Sequence, residues 1–127
     1  MSDPKSLIIG RWITHAEELI PGTPNYYGPA AFIAAYDIKS DGTLAVKVHS
    51  LIQGDHRTLN GVGQYSVAWN PLGIAEGVLT PEFGFGTISL NFFVRSKDEL
   101  VWVMTEASDH KPPIAHGIFL RVSALNT

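Results

Sequence analysis

Apolar and polar positions alternate along much of this chain with a period of two. In TLAVKVHS, residues 43–50, Leu44, Val46 and Val48 fall on one side of an extended backbone, and Lys47 and His49 fall on the other. Successive side chains of a strand point to opposite faces, so this run predicts a strand with a core face and a wet face marked by Lys47. Runs rich in β-branched and aromatic residues also occupy 8–16, 30–38, 58–69, 74–79, 87–95, 100–107 and 114–122. LVWVMTE, residues 100–106, is apolar on both faces, with Leu100, Trp102 and Met104 against Val101 and Val103. Such a strand lies under another layer or joins an oligomer interface. FIAAY (32–36) and NFFV (91–94) share this character, which favours self-association, as in a homodimer.

Turn-forming residues separate the runs. Gly, Pro, Asn and Asp collect in 21–29, 40–42, 53–56, 70–73, 80–86, 96–99 and 108–113, where their backbone preferences favour reversals. Short strands joined by hairpins predict an all-β protein, a sandwich or an up-and-down barrel. The reading adopted is about eight antiparallel strands in an up-and-down β-barrel, a single domain over 1–127. No long stretch repeats at helical spacing, although AEELI (16–20) fits a helical turn ended by Pro21.

Composition narrows the function. With 45% hydrophobic and 17% charged residues in 127, the chain is globular and long enough to bury a core. A net charge of -3 without a Lys/Arg cluster argues against nucleic-acid or anionic-membrane partners. The absence of Cys removes disulfide and thiolate chemistry and is compatible with a reducing compartment. No secretion-signal pattern and no membrane-spanning apolar run is present, so a cytoplasmic location is expected.

Gly10-Arg11-Trp12 opens the first strand and Arg121 sits in the last. This combination resembles the lipocalins and the broader calycin superfamily. The resemblance implies a lipocalin-like barrel in which the Trp closes the floor, an arginine from the far end packs across it, and the cup holds one apolar ligand. The sequence departs from that pattern. Only SALNT follows the last strand, the Thr-Asp-Tyr element is missing, and position 123 is Ser where fatty-acid-binding proteins carry a tyrosine two residues beyond their arginine.

The expected ligand-binding residues are Tyr36, Val46, Val48, Tyr65, Phe92, Trp102, Met104 and Arg121, with Phe32, Leu44 and Ile88 as further wall positions. Arg121 has two readings, a cation–π partner for an aromatic ring or a carboxylate clamp. Alternation places Gly117, Phe119 and Arg121 on one face of the last strand and His116, Ile118 and Leu120 on the other. Either Arg121 or His116 faces the interior, unless a bulge at Gly117 admits both. His116 is the candidate acid–base residue. His15, His49, His56 and His110 show no metal-ligand spacing, and neither a metal nor a cofactor is expected. The FGFG and GVGQ segments precede no helix and are not phosphate loops. NYYGP, residues 25–29, is a candidate lid at the barrel mouth. The leading expectation is a barrel that binds a hydrophobic or amphipathic small molecule. The alternatives are an isomerase, cyclase or dehydratase acting on a hydrophobic metabolite of a biosynthetic route, and an interaction module that uses the doubly apolar strands.

Overall fold

A computed structural model describes residues 3–20, 28–52, 54–108 and 114–123. The strands are β1 (Gly10–Ile20), β2 (Gly28–Ile38), β3 (Thr43–Ile52), β4 (Asp55–Trp69), β5 (Ala75–Glu82), β6 (Ile88–Ser96), β7 (Glu99–Ala107) and β8 (Ile114–Arg121). They form a closed barrel in sequence order, each antiparallel to the next, and β8 returns to pair with β1. The expected eight-stranded up-and-down barrel is therefore the observed fold, and closure leaves no free sheet edge.

One local expectation is corrected. Residues 16–20 continue β1 and do not form a helical turn. Glu17 pairs with Ala31 on one side, and Glu18 pairs with Ala115 on the other. A helical turn would leave the backbone groups of both neighbouring strands unpaired. The period of two also continues, with Ala16 buried, Glu17 exposed and Glu18 half-buried.

Register sorts the interior into rows of directly opposed residues. Trp12, Tyr36, Val46 and Gly61 form one row across β1–β4. Thr14, Ala34, Val48 and Leu59 form the next, and Ala16, Phe32, Ser50 and Arg57 the third. The long β4 pairs with β3 through residues 55–64 and with β5 through 62–69. This stagger tilts the strands, as closure of a small barrel requires.

The two ends differ. At the lower end lie the turns at 39–42, 70–74 and 97–98, together with a short 3-10 turn, Pro4–Leu7, that the sequence pattern did not signal. Asp3 caps this turn by accepting from the Lys5 amide at 2.9 Å. The upper end carries the turn at Gly54 and the connection 83–87. Of the candidate lid at 25–29, residues 25–27 lie outside the described residues and Gly28 and Pro29 open β2; His110 also lies outside them.

Candidate binding site in the barrel interior

The floor is built around Trp12, which is 0% exposed. Its indole N–H donates to the Ile8 carbonyl at 2.9 Å, and the Arg121 guanidinium lies 4.2 Å from its ring centroid. Arg121 also donates to the carbonyls of Ile9 at 2.8 Å, Leu7 at 2.6 Å and Lys97 at 2.9 Å. Of the two readings of Arg121, the geometry selects the structural one. Its donors tie the N-terminal segment to the last strand, so the expectation of a carboxylate clamp is corrected. Gly10 fits this arrangement because its φ is +133° and a Cβ there would lie 2.7 Å from an Arg121 nitrogen.

Above the floor, Tyr36 packs edge-on against Phe119 with centroids 5.0 Å apart. Full burial pushes the Tyr36 hydroxyl well above its ordinary value of 10.0. In the unfolded chain this hydroxyl loses its proton near pH 10.0, while the folded chain retains it. The native state then binds more protons than the unfolded state, so stability falls as pH rises above that value. Tyr36→Phe will flatten this fall, as urea midpoints measured on either side of pH 10.0 will show.

Trp102 divides the interior. Its indole N–H donates to Thr14 Oγ1 at 2.9 Å, and that hydroxyl donates to the Ile118 carbonyl at 2.8 Å. The ring lies against Gly117, where a Cβ would come within 3.0 Å of it. Phe32 and Phe119 meet the same ring at 6.0 and 5.9 Å between centroids. Above this ledge the buried wall positions of β1, β2 and β8 are small: Ala16, Ala30 and Ala115, with Ala34 beside them in the neighbouring row. Half-buried Phe32, Val48, Ile88 and Met104 pack against the core around them. Ser50 stands among them, 6% exposed.

The expected wall residues thus separate by depth. Tyr36, Val46 and Phe92 are buried in the core, and Trp102 forms the ledge. Val48 and Met104 are half-buried and pack against the core above the Trp102 ledge. Tyr65 belongs to the lower end, where its hydroxyl donates to the Lys39 carbonyl at 2.5 Å. Of the two alternatives for β8, the one with Arg121 inward is observed, and this places the acid–base candidate His116 outside the barrel. His116 is exposed on the outer face, and β8 runs through Gly117 in regular register with β7, without a bulge. Ser50 was missed in the sequence, although its parity with Leu44, Val46 and Val48 was the available signal.

The outer face carries two further features. His49 and His56 stack with centroids 5.4 Å apart and ring nitrogens 3.1 Å apart. A groove of about 680 Å³ crosses the outside of β5–β7 and is bordered by Val78, Phe93, Val101 and Val103. No helix among the described residues is long and apolar enough to cross a membrane.

Comparison with known proteins places the architecture. No family model matches the sequence, and no curated protein is significantly similar to it. Among solved structures, the chain is similar to a de novo designed fluorescence-activating β-barrel, with TM-score 0.62 and 16% identity over 96% of this chain and 100% of that one. An S-type phycobiliprotein lyase from Guillardia theta aligns with TM-score 0.49 and 6% identity over 94% of this chain and 91% of that one. The designed barrel's likeness extends over nearly the whole chain and establishes the fold as a small eight-stranded β-barrel.

Proposed function

We propose that this protein binds a small hydrophobic or amphipathic molecule in the upper half of the barrel. The supporting observation is the change in side-chain size along the interior. Trp12, Tyr36, Phe119 and Trp102 fill the lower half, whereas above them Ala16, Ala30, Ala34 and Ala115 line the wall on β1, β2 and β8, beside Phe32 on the ledge. A closed barrel has a radius fixed by strand number and stagger, so exchanging rings for methyl groups at constant radius leaves room for a ligand. Apolar area there supplies affinity, and the Trp102 ledge limits depth. Binding is favoured over an isomerase, cyclase or dehydratase activity because His116, the acid–base candidate, faces away from this space. The apolar groove beside Phe93 and Val101 favours a second reading, in which two copies pair through the outer wall.

Native mass measurement of the protein extracted under non-denaturing conditions tests both readings. The expected result is a mass above that of the 13.8 kDa chain, which shifts to that of the chain plus probe when an apolar probe displaces the ligand. A doubled mass at working concentration supports the pairing. A bare monomer that takes up no apolar probe overturns the interior reading.

A further inference from the structure

Two aliphatic hydroxyls buried in the interior, those of Thr14 and Ser50, stand in opposite states. Thr14 Oγ1, on a residue 2% exposed, both accepts from Trp102 and donates to the Ile118 carbonyl. Ser50 Oγ is buried with no hydrogen-bond partner. Its direction follows from the register. Ser50 is paired face to face with Phe32, which is paired with Ala16, and Phe32 touches the Trp102 ledge. Its other same-face neighbours are Val48 and Ile52 along β3 and Ala30 and Ala34 on β2. Among its neighbours on β2 and β3 the hydroxyl is therefore the one polar group, with Arg57 beside it on β4 at the rim.

An unpaired buried hydroxyl bears its full desolvation penalty, which an alanine at the same position would avoid. A hydroxyl both donates and accepts, so one neutral oxygen or nitrogen on a bound molecule would satisfy it. Arg57, the cross-strand partner of Ser50, is exposed at the rim and stays solvated. Among the described residues no buried cation stands beside Ser50 to compensate a carboxylate.

We infer that Ser50 anchors the polar end of the ligand. The ligand class is a neutral, ring-sized apolar molecule with one hydroxyl or carbonyl group, its apolar body resting against Phe32 and the Trp102 ledge. This inference rests on the interior reading given above and adds Ser50 as the residue that sets specificity within it.

The test uses naphthalene and 1-naphthol, which share an apolar body and differ by one hydroxyl, with wild type and Ser50→Ala. Wild type should bind 1-naphthol about tenfold more tightly than naphthalene, the scale of one satisfied buried hydrogen bond. Ser50→Ala should bind naphthalene as wild type does and should lose the preference for 1-naphthol. Without a probe, Ser50→Ala should melt at the wild-type temperature or above, because an unpaired hydroxyl has been replaced by a methyl group. If neither compound binds to either protein, the interior reading itself fails. If both compounds bind both proteins equally, the interior reading stands and the role of Ser50 is overturned. A lower melting temperature for Ser50→Ala would overturn it independently, by showing that the hydroxyl is satisfied within the chain. Tighter binding of 1-naphthoate than of 1-naphthol to wild type would overturn the assignment of a neutral group.

Discussion

Replacing Trp12 with Ala will lower the unfolding free energy by about 3–5 kcal/mol, as chemical denaturation will measure. The indole is fully buried, and its removal opens a cavity that the surrounding strands cannot fill. Trp12 is held from several sides at once. Ile8 accepts its N–H, and Arg121 covers its ring while gripping Leu7, Ile9 and Lys97. These carbonyls belong to the entry segment and to the turn between β6 and β7. The loss therefore falls on the joint where the barrel's first and last strands meet. For a domain whose total stability is of order 5–15 kcal/mol, this is a large share. Trp12→Phe keeps a ring under Arg121 and gives up the indole N–H, so it should cost about 1–3 kcal/mol. The folded fraction of either variant should still take up an apolar probe, because the upper half of the interior lies beyond Trp102. A Trp12→Ala protein of wild-type stability that had lost only probe binding would place Trp12 in the site and not in the floor.

The barrel was legible because its signals are local. Alternation in residues 43–50 fixed which side chains share a face, and Gly/Pro/Asn clusters fixed where the chain reverses. Alternation gives relative faces only, however. It put Arg121 and His116 on opposite sides of β8, and only barrel closure decided which side is inside. The stretch at 16–20 was misread for a related reason. Its two glutamates suit a helix locally, while hydrogen bonding to strands on both sides holds it extended. Contacts between distant residues left no trace in the sequence pattern. The Trp102–Thr14 hydrogen bond spans 88 positions, and it turns an expected wall residue into a ledge. Ser50 was visible by parity as an inward residue, but its missing partner is a property of the assembled barrel.

The same assembled geometry makes Gly77 the second position of large effect. A Cβ built on Gly77 would lie 1.9 Å from the Ser66 carbonyl oxygen and 2.9 Å from the Phe92 ring. The first obstacle is backbone. Gly77 is the register partner of Val67, and the adjacent Val78 is paired with Ser66, so the strands cannot separate there without breaking the β4–β5 ladder. The second obstacle is the Phe92 ring, which is buried in the core against Gly77. Gly77→Ala therefore overpacks a site whose nearest obstacle is ladder backbone, and it should cost about 3 kcal/mol, near the upper end of the usual range for such changes. Gly73 provides the comparison. It sits in the turn before β5 with φ +77° and nothing within 4 Å of a built Cβ. Gly73→Ala meets only the backbone strain of a left-handed residue, about 1–2 kcal/mol. Urea midpoints of the two variants, with the slope of unfolding unchanged, separate steric closeness from backbone conformation. A Gly77→Ala protein more stable than Gly73→Ala would mean that β4 and β5 do not approach each other as closely as this barrel requires.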